Sequence, residues 1–486
     1  MINRQAAVPI GAARHPVSIR QALAVAAPVM VGLSAVLAFA WYASSLIDQA
    51  LRLQTRGYDQ AFFQQQAWNI SHGGGFTTNL ATGNALGVHF SPFLVVPALL
   101  ELLWPDARLL SILHAGALAA AGPAAYVFFR TLWPAKWEAR LLAAVLAVSL
   151  PMAPFMQLAD GSNFHPESFA LPLALLAAAA GWRGHRRALW ALALVVLTIK
   201  EDQAYTIAVV GLLLWRSRGP LASDGRKLAI ASFIWGAIAF VLVVPGIAIL
   251  TAPAGQAQSV SGSYYAWMLH ASPGTILQAL TAPEPWLRLG LMVLGLGGLP
   301  LLRPRWLVFV VPLFLASVLS AHHALATLHF HYGLLLAMPI LVAAGLGGQV
   351  LIGRLDGRLQ RWAATAVLPG LVSGVLFGSL PPFAHPSIAH PTSALAGLQT
   401  CADAHLPADA PVAADDNLMP PLASRHHIVL IDQATPSDYI AIDTAVGPPG
   451  WVNPTTRRQI IAGLPQTRLE LCSWGPVSIW APATSP

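Results

Sequence analysis

Charged side chains are scarce in this sequence. Asp, Glu, Lys and Arg make up 10% of its 486 residues, whereas 56% of the residues are hydrophobic. A soluble protein usually carries about 25% charged residues, and no soluble core needs so much apolar surface. The expected solvent of this chain is therefore the lipid bilayer. Its Lys and Arg residues cluster in short connectors between apolar runs, as in the cytoplasmic loops of membrane proteins, and we expect no nucleic-acid partner.

The motifs of several well-defined protein classes are also missing. The sequence contains no Walker A motif, no dinucleotide-binding glycine pattern and no His-Glu-x-x-His zinc motif. These absences argue against an ATP-driven pump and a zinc protease. No long internal repeat is visible, which weakens the case for an inverted-repeat transporter.

Cysteine is nearly absent, and both residues, Cys401 and Cys472, lie within the last hundred residues. That segment is assigned below to the extracytoplasmic side, where an oxidising environment favours disulfides. We therefore expect a Cys401–Cys472 disulfide. The alternative is a pair of buried free thiols.

Apolar runs alternate with basic connectors along most of the chain. Assigning every basic connector to the cytoplasm puts the N-terminus inside, the C-terminus outside, and leaves about 11 crossings. The first run is too long for a signal peptide and is interpreted as an uncleaved span. The run 93–104 breaks the alternation, so we assign it to a short re-entrant or interfacial helix. The apolar runs lie at about 21–47, 93–104, 107–131, 141–159, 168–182, 188–199, 203–215, 228–250, 286–301, 306–320, 334–352 and 363–379.

The sequence thus predicts an all-α polytopic transmembrane bundle followed by a small extracytoplasmic α/β domain. Residues 1–20 are expected in the cytoplasm, residues 21–380 in the transmembrane domain with an outer loop at 48–92, and residues 381–486 in the tail. Within the tail, strand-like runs lie near 428–431, 439–443, 468–473 and 477–481, and helix-like runs near 394–404 and 454–463.

Ionisable residues near the membrane need a reason, since inserting a charge costs about 3 kcal/mol. They concentrate in four segments assigned to the outer face. The first, 56–92, has a single acid, Asp59, and also contains Asn84 and His89. Its part 59–70 is expected to be an amphipathic helix on the membrane surface. The alternative is an ordinary interfacial loop in which Asp59 caps a helix.

The second and third segments are short and dense in charge. His165 and Glu167 lie together between two apolar spans, which a simple helix cap does not explain. Lys200, Glu201 and Asp202 are consecutive and separate two apolar runs of about 12 residues each. Three charges at the middle of one buried helix would be prohibitive, so we expect two half-helices that meet at a polar cavity. The alternative is a tight turn whose charges reach water.

The fourth segment, 320–332, is rich in histidine and includes His331 and Tyr332. Clustered imidazoles can bind phosphate or metal, although interfacial histidines often serve only as amphipathic anchors. A divalent metal could bind through Asp59, Glu167, Asp202 and histidines. The sequence has no fixed ligand spacing that would specify such a site.

Short motifs in these segments and in the tail follow one another in a recognisable order. They are Gly57-Tyr58-Asp59-Gln60, Gln66-Ala67-Trp68-Asn69, His72-Gly73, Gly83-Asn84, Leu86-Gly87, His89-Phe90-Ser91-Pro92, Phe164-His165-Pro166-Glu167, Lys200-Glu201-Asp202, His331-Tyr332 before Pro339, and Asp416-Asn417-Leu418-Met419-Pro420. The series resembles a bacterial family of predicted membrane proteins, domain of unknown function 2079, over about residues 50–445. Where that family commonly has further acids, this chain has Gln64 to Gln66, Asn163 and Val88.

The layout of that family is similar to the GT-C superfamily of membrane glycosyltransferases. The resemblance implies a multi-pass protein of the bacterial plasma (inner) membrane that uses a polyprenyl-phosphate-linked sugar. On this hypothesis Asp59, Glu167 and His165 are catalytic, with Asp59 as the general base. Substrate-binding residues are expected to be Lys200, Glu201, Asp202, Asn84, His89, His331 and Tyr332, of which Lys200, with His165 or His331, would meet phosphate.

Two alternatives come from other functional classes. One is a transporter or flippase with a substrate site between the half-helices of 188–215. The other is a non-catalytic scaffold whose tail binds partners in the cell envelope. Convergence of Asp59, Glu167 and Lys200 on one cavity favours the enzyme. A site at 200–202 that lies apart from Asp59 favours transport.

The charge pattern makes a topological prediction. Reporter fusions near residue 221 should be cytoplasmic, because they follow a basic connector, and fusions near residue 420 should be extracytoplasmic. Paired alkaline phosphatase and fluorescent-protein fusions measure this directly. Both positions on one side of the membrane would contradict the topology.

Overall fold

The computed structural model describes residues 19–253, 260–354, 393–447, 449 and 452–482. Helices dominate the first part of the chain, and a small sheet lies near its end. The expected cytoplasmic segment 1–20 lies almost wholly outside the described residues, and the last expected span, 363–379, lies entirely outside them. The count of crossings therefore stays a prediction.

Helices in the first part of the chain range from single turns to rods long enough to cross a bilayer. They are α1 (Ile19–Leu51), α2 (Gly57–Ser71), α3 (Val95–Glu101), α4 (Arg108–Leu132), α5 (Trp137–Ser149), α6 (Pro154–Asp160), α7 (Ala170–Trp182), α8 (Arg186–Ile199), α9 (Gln203–Ser217), α10 (Ala222–Ile238), α11 (Val244–Thr251), α12 (Val260–Tyr265), α13 (Pro273–Thr281), α14 (Pro283–Leu294), α15 (Val311–Val318), α16 (His323–Ala326) and α17 (Leu334–Arg354).

Five continuous helical stretches have the length and hydropathy of membrane spans within the described residues: Val25–Leu51, Arg108–Leu132, Trp137–Asp160, Ala222–Thr251 and His323–Gly353. Their lipid-facing character shows in exposed apolar side chains, such as Val241 at 68% and Leu250 at 85% exposure. Large apolar surfaces of this kind require lipid rather than water around them. The protein is therefore a multi-pass membrane protein.

Other helices are too short to cross alone. At 1.5 Å per residue, α8 with 14 residues and α9 with 15 residues each span roughly 20 Å, less than the roughly 30 Å of a bilayer core. Between them Lys200 adopts an extended conformation with φ −165° and ψ 154°. The expected pair of half-helices is confirmed.

The tail domain contains α18 (Ser393–His405), α19 (Met419–Leu422), α20 (Pro454–Thr467) and a five-stranded mixed sheet. Strand order is β2-β1-β3-β5-β4, with β1 parallel to both neighbours and β5 antiparallel to both of its own. The strands are β1 (Val412–Ala414), β2 (Ile428–Leu430), β3 (Tyr439–Asp443), β4 (Arg468–Trp474) and β5 (Val477–Pro482). Four of these match the expected runs; β1 was missed because two of its three residues are alanine, which has a low preference for strands.

One hydrophobic core joins the tail to α2. Phe62 and Phe63 of α2 belong to the same cluster of buried side chains as Leu418 and Ile440 of the tail. The segment 59–70 is helical, as one of the two interpretations expected, but the tail covers this helix and buries most of its residues; its position relative to the membrane surface stays a prediction. Its glutamines are buried and hydrogen-bonded, for example Gln65 to the carbonyl of Arg425 at 3.1 Å.

In the tail, Cys401 of α18 and Cys472 of β4 pair as a disulfide, with Cα atoms 6.3 Å apart. The bond links α18 to β4, the edge strand of the sheet. It closes a loop across a sequence separation of 71 residues.

A loop of that length predicts that the disulfide stabilises the tail by about 4 kcal/mol in the chain-entropy model. Mass spectrometry of unreduced, alkylated protein should detect the linked peptides, and Cys401→Ser with Cys472→Ser should lower the melting temperature. Two freely alkylated thiols in protein taken from its native compartment would refute the pairing.

Candidate active site

A cavity of about 1200 Å³ lies between the membrane helices and the tail domain. Its wall combines the start of α2, the turns at 162–167 and 200–205, the 322–332 segment, helices α10 and α11, and two tail residues, Leu430 and Gln433. Nine of the ten residues expected in the site line it: Asp59, His89, His165, Glu167, Lys200, Glu201, Asp202, His331 and Tyr332.

A buried ion cluster forms one wall of the cavity. The ammonium of Lys200 donates a hydrogen bond to Glu167 and lies 3.3 Å from a carboxylate oxygen of Asp202. Two carboxylates thus face one lysine, and this compensation is what allows the charges to sit at the junction of two apolar helices. The second oxygen of Glu167, Oε2, has no hydrogen-bond partner among the described residues.

Glu201 points away from this cluster and secures a different segment. Its carboxylate lies 3.0 Å from His89 Nδ1 and accepts the backbone N–H of Phe90 at 2.8 Å. The contact ties the first loop to the α8–α9 turn, about 110 residues later in the chain. Glu201 and His89 thereby fix the relative position of two walls of the cavity.

Two stacked imidazoles connect the lysine cluster to Asp59. The rings of His165 and His331 lie 3.6 Å apart at an angle of 24°. His331 Nε2 is 3.9 Å from Glu167, and His165 Nε2 is 3.8 Å from the carboxylate of Asp59. Asp59, Glu167 and Lys200 therefore belong to one continuous series of side chains.

Asp59 differs from the other acids in its accessibility. Its side chain is 58% exposed, whereas that of Glu167 is 5% exposed. It sits in the first turn of α2, at the cavity wall. Among the acids of this wall it is the one best placed to meet a bound substrate.

Asn84 does not line the cavity, contrary to expectation. Its side-chain oxygen accepts the backbone N–H of Leu86 at 2.9 Å and caps a short 3-10 turn. Its own N–H donates to Thr251 Oγ1 at 2.8 Å, at the end of α11. The backbone of Asn84 holds the loop against α11. Its side chain is used within the loop and is not directed to the cavity.

Sequence reasoning missed two groups at the start of α2. The guanidinium of Arg56 lines the cavity and lies 4.5 Å from the ring of Phe330, and burial lowers its pKa. The carboxylate of Asp416, in the tail, accepts the backbone N–H groups of Gly57 and Tyr58. Arg56 stood directly before the Gly57-Tyr58-Asp59-Gln60 motif, and Asp416 opened the tail motif, so both carried a signal.

The opposite wall of the cavity is apolar. The continuous helical stretch Ala222–Thr251, which includes α10 and α11, contributes Phe233, Phe240, Val244 and Ile249. The same stretch exposes other apolar side chains, such as Val241, which does not line the cavity. One helical stretch thus separates the polar site from the lipid-facing surface.

No group of three or more His, Cys, Asp and Glu side chains is arranged to hold a metal ion in the described parts of the chain. The option of a divalent metal through Asp59, Glu167, Asp202 and histidines therefore gains no ligand set from the described residues.

Comparisons with known proteins bear on both family and fold. The model of the family described as "Predicted membrane protein (DUF2079)" matches residues 49–464. A crystal structure of ArnT from Cupriavidus metallidurans in the apo state matches with a TM-score of 0.54 and 13% identity, over 94% of this chain and 98% of that one. A second, of ArnT bound to undecaprenyl phosphate, gives 0.49 and 12% over the same shares. No curated protein matches. The fold of the chain is similar to that of apo ArnT.

The ion cluster predicts a strong dependence of stability on Lys200. Lys200→Met should destabilise the folded protein by about 3–5 kcal/mol, because it strands buried carboxylates. The double variant Lys200→Met/Glu167→Gln should recover part of that loss. Thermal unfolding in detergent measures both.

The matched control is Arg52→Met, since Arg52 forms an exposed ion pair with Asp48 at 2.7 Å and exposed pairs contribute about 1 kcal/mol or less. Equal effects of the Lys200 and Arg52 substitutions would contradict the role of the cluster.

Proposed function

Since the chain belongs to the DUF2079 family of predicted membrane proteins, we propose that it is a GT-C-like glycosyltransferase. It moves a sugar from a polyprenyl-phosphate carrier to an extracytoplasmic acceptor. The observation that carries the proposal is the exposed carboxylate of Asp59 in a cavity with one polar and one apolar wall.

The chemistry assigned to Asp59 is that of a general base. An acceptor hydroxyl attacks the anomeric carbon of the donor sugar while Asp59 takes the hydroxyl proton. The new glycosidic bond forms as the bond between sugar and phosphate breaks, and polyprenyl phosphate leaves. His165, 3.8 Å from Asp59, orients the carboxylate.

Two cations of the cavity can stabilise the leaving phosphate. Arg56 lines the cavity, and the planar fork of its guanidinium suits phosphate oxygens. Lys200 is already compensated by Glu167 and Asp202, so its contribution is a directed hydrogen bond more than a full charge. His331 and Tyr332 lie beside them and complete this side of the pocket.

The two remaining walls suit the two substrates. The apolar wall of Phe233, Phe240 and Ile249 fits a prenyl chain. The tail contributes Leu430 and the exposed amide of Gln433, and we assign this side to the acceptor. A buried, unpartnered Oε2 of Glu167 among the described residues is an acceptor for a sugar hydroxyl.

The orientation follows from the charge pattern. We propose that the N-terminus is cytoplasmic and that the cavity and the tail face the outside of a bacterial plasma (inner) membrane. The tail disulfide between Cys401 and Cys472 suits that compartment.

The convergence of Asp59, Glu167 and Lys200 on one cavity favours this enzyme over a transporter with a separate site at 200–202. An accessible carboxylate inside a substrate-sized pocket is also more than a scaffold requires. The enzyme is therefore the function that these contacts support best.

We predict that Asp59→Asn reduces transfer by at least about 100-fold while the protein stays folded, because the amide keeps the shape but cannot take a proton. Purified protein in nanodiscs would be incubated with radiolabelled polyprenyl-phosphate sugars and an envelope extract as the acceptor source. Labelled product and released polyprenyl phosphate are both measured.

Asp48→Asn is the matched control, since Asp48 is paired with Arg52 on α1 at 2.7 Å and does not line the cavity. Full transfer activity in Asp59→Asn would overturn the proposed function.

A further inference from the structure

The tail domain contacts the helix that carries the proposed base. Asp416 lies 359 residues beyond Gly57, yet its carboxylate accepts the N–H of Gly57 at 2.9 Å and of Tyr58 at 2.8 Å. These are the first two N–H groups of α2, and the preceding residue, Arg56, provides no side-chain cap. Asp416 therefore acts as an N-cap for α2, although it lies in the tail domain and not at the start of the helix.

The contact between Gly57 and Asp416 leaves no space for a side chain at residue 57. A Cβ on Gly57 would lie 1.4 Å from the backbone oxygen of Asp416, so no side chain fits there. The next residue, Asn417, donates to the carbonyl of Leu53 at 2.9 Å, in the turn between α1 and α2. The start of α2 is thus held at two points by consecutive tail residues.

The loop that carries Asp416 is itself anchored in the tail. Its neighbour Asp415 forms a buried bidentate pair with Arg457, at 2.7 and 2.8 Å, and accepts the N–H of Asp443 at 2.8 Å. Buried bidentate pairs are geometrically specific. The position of Asp416 is therefore set by the sheet and transmitted to α2.

Asp416 is a neighbour of the cavity and does not line it, unlike Asp59 and Arg56. Burial raises the pKa of Asp416, whereas the two N–H groups of α2 and the charge of Arg56 lower it. The contact is made to the first two residues of α2, and Asp59, the next residue in the same turn, lines the cavity.

We propose that Asp416 is a positioning residue for the transfer reaction. Through the N-terminus of α2 it sets the place of the Asp59 carboxylate at the cavity wall. The inference rests on the proposed function, because it takes Asp59 as the base. A displacement of about 1 Å from a distant change can cost about 100-fold in rate, so the cap acts on turnover and leaves substrate binding in place.

Asp416→Ala tests this in the full chain, in nanodiscs, with the same polyprenyl-phosphate sugars. The expected result is a kcat lower by about 10- to 100-fold with an unchanged KM for the donor. Asp416→Ser, whose hydroxyl can still cap a helix, should recover part of the rate.

The matched control is Asp438→Ala. Asp438 is a tail aspartate that also accepts a backbone N–H, from Thr435 at 2.6 Å, and it is buried more deeply than the half-buried Asp416. Its ionic neighbour, His427, is again in the tail. Asp438→Ala should lower the melting temperature at least as much as Asp416→Ala does and leave kcat unchanged.

Gly57→Ala approaches the contact from the other side, since it adds a methyl group against Asp416 and removes no charge. It should reduce kcat as Asp416→Ala does. The double variant should be no worse than Gly57→Ala alone, because the methyl group clashes with the backbone oxygen of Asp416, which Asp416→Ala keeps, and this clash already breaks the contact.

The outcomes separate the two claims. Wild-type kcat in Asp416→Ala, beside an inactive Asp59→Asn, would overturn the positioning role and keep the proposed function. Equal loss of kcat in Asp416→Ala and Asp438→Ala would show that Asp416 contributes only to the stability of the tail. That result would also overturn the positioning role. An active Asp59→Asn would defeat the proposed function, on which the inference depends.

Discussion

The interaction between Lys200 and the carboxylates of Glu167 and Asp202 is the constraint on which the rest of the site depends. A charged triplet between two apolar helices is tolerable only if opposite charges come to it. That requirement interrupts the helix at Lys200 and draws the turn that carries Glu167 to the junction. Glu167 in turn lies beside His331, which stacks on His165. The polar wall is therefore organised outward from one buried ammonium group.

The sequence predicted the structure best where the free-energy cost of burying charged groups was highest. Three consecutive charges could not be placed in a continuous buried helix, and the half-helices follow from that cost alone. Strand-like runs in the tail likewise predicted β2 to β5, because short apolar runs bounded by turn residues leave a local signal. Eight of the nine cavity residues could be named because their charge or imidazole was unexpected near a membrane, and Tyr332 was named as the neighbour of His331.

The errors arose where a long-range partner decides the structure. The glutamines of α2 suggested the polar face of an amphipathic helix, but they are buried, and the tail supplies partners to two of them, such as the carbonyl of Arg425 for Gln65. Asn84 was chosen for its chemistry, although a local turn uses its side chain. Nothing near Asp416 in the sequence indicated that it meets Gly57. A single sequence does not reveal contacts across several hundred residues.

The cap on α2 also has a consequence for the order in which the site is assembled. Gly57 is among the first residues to leave the ribosome, whereas Asp416 is synthesised 359 residues later. Until then, the helix with Asp59 lacks its cap, and its glutamines lack the tail carbonyls that they bond. The pocket is therefore incomplete until the ribosome has synthesised the tail. A prematurely terminated product would retain most of its membrane helices and still lack the working geometry.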